Sequence, residues 1–191
     1  VEYFEKSNFV ASRQSFERYL ATKDPLERVG DYNAVSARYY IAVTALYLDY
    51  PEAEIQIDRF VRNHAEHPKA KQIYADLGKH YYEAGEYGKA IEYLEKSVAG
   101  TTNYTSKLST MYQLAMSYYA LQNYGKALPL FNQVKRDVSF ENAADASFFA
   151  GVIHYKQAKY AEAYEDFQRV ENHPYYKTEV PNWLVASMYQ L

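Results

Sequence analysis

Tyr74-Ala75-Asp76-Leu77-Gly78-Lys79-His80-Tyr81, followed three residues later by Gly85-Glu86-Tyr87-Gly88-Lys89-Ala90-Ile91-Glu92-Tyr93-Leu94, is the stretch that decides the fold. Leu77 and Tyr81 are four apart and share one face of a helix; Ala90 and Leu94 do the same on a second helix. Gly85 sits between them, where a left-handed turn costs a glycine little. The stretch reads as a helix hairpin with Gly78 and Ala90 kept small where the two helices approach.

The pattern recurs. A second copy reads Leu114-Ala115-Met116-Ser117-Tyr118, then Asn123-Tyr124-Gly125-Lys126-Ala127-Leu128-Pro129-Leu130-Phe131. A third reads Ala150-Gly151-Val152-Ile153-His154, then Lys159-Tyr160-Ala161-Glu162-Ala163-Tyr164-Glu165-Asp166-Phe167. Gly78 to Ala115 is 37 residues and Ala115 to Gly151 is 36. Upstream, Ala37 to Leu48 is predicted as a first helix, with either Ile41 or Ala42 in its small slot, and Tyr50-Pro51-Glu52-Ala53 opens a second that runs to about Asn63. Phe9, Ser12 and Phe16 match only a second helix, with Val1 to Ser7 as the stub of its first; Trp183, Ala186 and Tyr189 match only a first helix. Asn123 is expected to take the left-handed turn, as Gly85 does. Pro51, Pro68 and Pro181 are expected in first turns of helices. Pro129 falls about one turn inside a helix, which a start near Tyr124 makes tolerable.

These slots resemble the tetratricopeptide repeat, whose pattern is aromatic, Leu-Gly, Tyr, then Tyr, Ala and Phe, in units of 34 residues. The resemblance implies an all-α fold, a right-handed superhelical solenoid of antiparallel helix pairs, each pair packing on the next. It covers 1–191 as a single array: half-unit 1–30, complete units 34–68, 71–104, 108–141 and 144–177, and half-unit 178–191. Neither Val1-Glu2-Tyr3-Phe4 nor Ser187-Met188-Tyr189-Gln190-Leu191 reads as a polar cap, so the array is expected to belong to a longer protein. Phe4, Trp183 and Leu184 are then expected to expose apolar surface and to drive end-to-end self-association.

Composition narrows the function. The 191 residues carry a net charge of -3, with Lys and Arg spread through the chain, so no basic footprint for nucleic acid exists. There is no Cys, which removes disulfides, thiolate metal sites and cysteine nucleophiles, and which suits a cytoplasm or a bacterial periplasm equally. No apolar run reaches the roughly 20 residues that span a bilayer, and Val1 to Arg13 is too charged for a signal peptide. Tyr occurs 23 times against 7 Gly and 6 Pro, the composition of helices packed on helices with rings that end in water. His64-Ala65-Glu66 opens like a zinc deaminase motif that needs a later Pro-Cys-x-x-Cys, and none is present. His64 and His67 read as solvated cations near a helix end rather than as a metal pair. Gly85 to Lys89 is the turn of the best repeat, not a phosphate loop. The glycosylation sequence Asn103-Tyr104-Thr105 acts only in a eukaryotic secretory setting.

In the repeat family the first helix of each unit lines the concave groove. Carried over, the candidates are Tyr39 and Tyr47, with Val43; Lys79 and Tyr82; Tyr112, Met116 and Tyr119; Phe148 and Tyr155; and Trp183. Tyr112, Tyr119, Phe148 and Tyr155 are expected to be partly exposed, while Tyr118 and His154 turn inward. The Lys and Asn clamp by which chaperone cofactors of the family grip a C-terminal carboxylate is missing: its positions hold Tyr39 and Val43, Ala75 and Lys79, Tyr112 and Met116, Phe148 and Val152. The reading is therefore a scaffold for a protein or peptide partner, not an enzyme, with no cofactor and no metal. A recruiting arm of a larger enzyme and a glycan-binding repeat module are the alternatives. Asp58-Arg59-Phe60 and the Tyr-rich first helices resemble bacterial cell-envelope members of the family.

Overall fold

The computed structural model describes residues 1–24, 31–100 and 103–191, and among them are eleven helices and no strand. They are α1 (Glu2–Glu5), α2 (Phe9–Ala21), α3 (Tyr32–Tyr47), α4 (Ala53–Asn63), α5 (Pro68–Glu83), α6 (Tyr87–Gly100), α7 (Tyr104–Ala120), α8 (Tyr124–Val134), α9 (Ala143–Lys156), α10 (Tyr160–Gln168) and α11 (Val180–Gln190). The end of the expected first half-unit, 25–30, and residues 101–102 of the second complete unit lie outside the described residues.

Where the sequence reading draws one array, the chain divides into two compact units, Val1–Thr101 and Thr102–Leu191. The division falls within the last residues of the expected unit 71–104, after Tyr87–Gly100 and before Tyr104–Ala120, so it separates no helix from its partner in a pair. In unit 1, α3 packs on α2, α4 and α5, and α5 packs on α6. In unit 2 the contacts run α7 on α8, α8 on α9, α9 on α10, and α10 on α11. Each unit has a first helix sunk in its middle. From Ala34 to Leu46 most of α3 is buried, and from Ala143 to His154 most of α9 is buried. Outer helices bury one stripe instead: α4 turns in only Ala53, Ile57 and Phe60, at the spacing of one helix face.

One turn motif ends five of the first helices. In each, a residue with positive φ follows the helix, and the next amide reaches back to a carbonyl five residues earlier: Asn8 to Tyr3, Tyr50 to Ala45, Glu86 to Tyr81, Asn123 to Tyr118, Lys159 to His154, at 2.8–2.9 Å. The left-handed residues are Ser7, Asp49, Gly85, Gln122 and Ala158. Asn123 is therefore not the left-handed residue expected of it. Its φ is -83° and its side chain caps α8 by accepting from the Lys126 amide, so the strained position falls to Gln122. Asn8, Asp31, His67 and Asn103 cap α2, α3, α5 and α7 in the same way.

The small slots are filled as their spacing requires. Ala90, Ala115, Ala127 and Ala163 are fully buried. A Cβ on Gly78 would lie 2.5 Å from Leu94 Cγ, and one on Gly151 would lie 2.9 Å from the Phe167 ring. Ala42, not Ile41, takes the upstream slot, since Ala42 is buried and Ile41 is half-buried. Pro68 and Pro181 begin α5 and α11, whereas Pro51 stands in the turn before α4, whose cap is Glu52. Pro129 sits inside α8, which does start at Tyr124.

Candidate functional site

In unit 1 the expected groove residues separate by burial. Tyr39 is only 1% exposed, and Val43 is fully buried. The Tyr39 ring lies between α3 and its neighbours, and its hydroxyl donates to Asp76 Oδ2 at 2.5 Å, so this side chain is spent on packing α3 against α5. Tyr39 and Val43 thus leave the candidate set, because a first helix with neighbours on three sides has little face left to offer. Burial is the main reason the Asp76 carboxyl is pushed up to about 6, against the opposing pull of the Tyr39 hydrogen bond and of Lys69 and Lys79. Tyr47 is half-buried and stacks on Phe9 at 4.5 Å with an edge contact to Phe4. Its phenol is pushed up to about 12, first by burial and then by the negative charges of Asp76 and Glu83. Lys79 is exposed and pairs with Glu83 at 3.7 Å. Tyr82 is half-buried beside Tyr87 at 6.2 Å.

Unit 2 offers more. Tyr112, Met116, Tyr119, Tyr155 and Trp183 are all half-buried. Tyr119 leans on Phe149 at 4.9 Å and on Tyr124 at 5.6 Å. Tyr155 meets the edge of Trp183 at 5.3 Å, and Trp183 stacks on Phe167 at 5.4 Å while its Nε1 donates to Glu179 at 3.1 Å. Tyr119, Tyr155 and Trp183 rest on one core cluster built from Val152, Ala163, Phe167, Val170 and Leu184. Phe148 belongs to that cluster. It is 7% exposed and stacked on Tyr176 at 4.4 Å, so the expectation of a partly exposed ring fails there. The cause is Tyr176, which lies after α10 in a stretch without helical periodicity and covers the ring.

Tyr176 also completes a polar knot that the repeat pattern does not signal. Asp145 accepts from Tyr176 at 2.5 Å, from Tyr112 at 3.3 Å and from Asn142 at 3.3 Å. Burial, and then the Asp145 carboxylate, push the Tyr176 phenol up. Burial does the same to Tyr119. Tyr118 and His154 do turn inward: Tyr118 accepts from Lys126 Nζ, and His154 Nδ1 lies 2.9 Å from Asp166 Oδ2.

Among the described residues no group of three or more His, Asp or Glu could hold a metal ion, and no helix is long and apolar enough to cross a membrane. His67 caps α5 through Nδ1 and His64 lies against Phe60, so the two imidazoles face different neighbours.

Residues 112–177 match the family model of the tetratricopeptide repeat. The chain carries tetratricopeptide repeats. Residues 46–134 match the model of anaphase-promoting complex (cyclosome) subunit 3. No curated protein matches the chain. Among solved structures it is similar to BtubC (BKLC) from P. vanneervenii, with 16% identity, TM-score 0.61, and coverage of 97% of this chain and 83% of that one. It is also similar to a Podosopora anserina protein of kinesin-light-chain type with nearly identical TPR-like repeats, with 18% identity, TM-score 0.63, and coverage of 93% and 92%. A variant of the latter gives 18% identity and TM-score 0.58 over 89% and 88%. Identities this low speak for the repeat fold alone. Tetratricopeptide repeats generally mediate protein–protein interaction, and their fold is generally a non-catalytic scaffold.

Proposed function

We propose that this tetratricopeptide chain holds an apolar or helical segment of a partner protein against the first-helix aromatics of unit 2. The observation that carries the reading is the half-burial of Tyr119, Tyr155 and Trp183 on one core cluster. Rings fixed from below by packing and open at their edges give large contact area at low entropic cost, with a polar tip for orientation. Tyr112 and Met116 extend the row on α7, and Tyr47, Lys79 and Tyr82 form a smaller set on unit 1. Few charges interrupt the unit 2 row, which favours an apolar segment over an acidic tail.

The test begins with a pull-down by the chain to obtain a partner, whose affinity is then measured by calorimetry. Tyr119→Ala is expected to weaken binding by about 2 kcal/mol or more, with a small change in melting temperature. Glu92→Ala, an exposed carboxylate paired with Lys96 on α6, is the control and should bind as the parent does. Equal binding by both variants moves the site off the first-helix row.

A further inference from the structure

Residues 171–179, between α10 and α11, leave every side chain exposed except those of His173 and Tyr176. Tyr175 is 84% exposed, while its neighbour Tyr176 reaches down onto α9. The Tyr176 ring stacks on Phe148 at 4.4 Å, nearly parallel to it, and its hydroxyl donates to Asp145 Oδ1 at 2.5 Å. Asp145 and Phe148 are three apart and share one face of α9. Phe148 belongs to the core cluster on which Tyr119, Tyr155 and Trp183 rest, so Tyr176 covers part of the same surface.

The place that Tyr176 fills is built without it. Asp145 Oδ2 accepts from Tyr112 and from Asn142, at 3.3 Å each, which keeps the carboxylate aimed whatever happens at Oδ1. Phe148 is held by the edges of Phe149 at 5.5 Å and Phe167 at 5.9 Å. A fixed ring face beside a fixed acceptor is a seat for a phenol. Closure also carries a cost. The His173 ring lies 5.5 Å from that of Tyr176, and its Nδ1 is buried with no hydrogen-bond partner among the described residues. A buried polar atom left unpaired is unfavourable, and lifting the segment returns it to water. The backbone bonds of Tyr176 run to His173, Glu179 and Val180, so rotating its side chain breaks none of them.

We propose that Tyr176 is a lid on the unit 2 surface: at rest its side chain fills the seat formed by Phe148 and Asp145, and it swings out when the phenol of a partner's tyrosine takes that place. The identity of the partner rests on the reading of unit 2 as the contact surface, but the seat and the lid are measurable without any partner. A ligand that enters only when the lid is out binds more weakly by the fraction of open molecules, so weakening the lid tightens binding.

The test titrates the whole chain with para-fluorophenol, which has the ring and hydroxyl of tyrosine, and with para-fluorotoluene, which lacks the donor, both followed by fluorine NMR. Affinity for the phenol is expected to rise from the parent to Tyr176→Phe to Tyr176→Ala, by at least about tenfold overall. In Tyr176→Ala the phenol should bind at least about fivefold more tightly than the toluene, and adding Asp145→Ala should erase that preference. Tyr176→Phe keeps the ring and carries the comparison if the alanine variant does not fold. Equal affinity in the parent and in Tyr176→Phe overturns the lid, and equal binding of phenol and toluene in the folded variants overturns the seat. Either failure leaves the Tyr119 row standing, since that row is tested with the captured partner.

Discussion

Each unit sets a carboxylate beside its central first helix, half-buried in unit 1 and buried in unit 2, and the two units hold it differently. In unit 1, Asp76 of α5 is met by one phenol, that of Tyr39 on α3. In unit 2, Asp166 of α10 is met on both oxygens, by Lys135 Nζ at 2.5 Å and by His154 Nδ1 at 2.9 Å, which ties the end of α8 and the body of α9 to α10. Burial, opposed only in part by that phenol and by Lys69 and Lys79, holds the first carboxyl at about 6. A donor on each oxygen, one of them an ammonium, makes the second the centre of a three-helix tie. The same architecture therefore carries a pH-responsive contact in one half and an ionic clasp in the other.

Breaking the clasp gives the largest expected effect. Asp166→Ala leaves a nearly buried ammonium and an imidazole without their acceptor and should cost about 3–5 kcal/mol, read by chemical denaturation. A loss below about 1 kcal/mol would mean that the clasp behaves like a surface pair and that the contrast is false. The pH-responsive contact is tested next. Asp76 has a folded pKa of about 6 against an ordinary 3.8. A raised value contributes stability that is fully present below the unfolded pKa and is lost as pH rises through the folded one. The stability of the parent minus that of Asp76→Asn should thus fall between about pH 4 and 6, by up to about 3 kcal/mol, and stay flat above. Thermal melts across that window check it, and a flat difference would remove the contrast from the unit 1 side.

Two smaller comparisons sharpen the picture. Gly78→Ala and Gly151→Ala should each destabilise by about 1–3 kcal/mol through overpacking. Gly78→Ala should be the worse of the two, because its Cβ would meet Leu94 Cγ at 2.5 Å and the Leu94 amide at 3.1 Å, whereas Gly151 meets a ring at 2.9 Å. Reversal of that order would show that the Phe167 ring yields less than Leu94 does. Smallest are the turns. Gly85→Ala should cost about 1 kcal/mol and Ala158→Gly should gain less than that, since only Gly85 has the residue its positive φ prefers. Paired melting curves read both.

The repeat was legible because its small slots recur at fixed spacing: Gly78, Ala90, Ala115, Ala127, Gly151 and Ala163 all land at helix contacts. Helix starts were less legible. α3 begins at Tyr32, five residues before the expected Ala37, because Asp31 caps it through its side chain, and that signal needs no apolar periodicity. The candidate site was read from slot positions alone, and a slot does not report how many neighbours its helix has. Tyr39 and Phe148 lie on the most enclosed helices and are sealed, by Asp76 and by Tyr176. Tyr176 follows no repeat slot, so nothing periodic announces it. The apolar end surface also falls elsewhere than expected. Leu184 is buried and Phe4 is half-buried against Phe9 and Tyr40, while Val185, Met188 and Tyr189 on α11 are exposed.

Trp183 is the chain's one tryptophan among 23 tyrosines, and it is stacked on Phe167 inside unit 2. Selectively excited indole emission therefore reports the melting of the second half alone, while the far-ultraviolet dichroism of the helices reports both halves. Coincident curves would mark a single cooperative transition, and an emission change displaced from the dichroism would mark two foldons. The molecule thus carries, without any label, its own optical means of asking whether its halves unfold together.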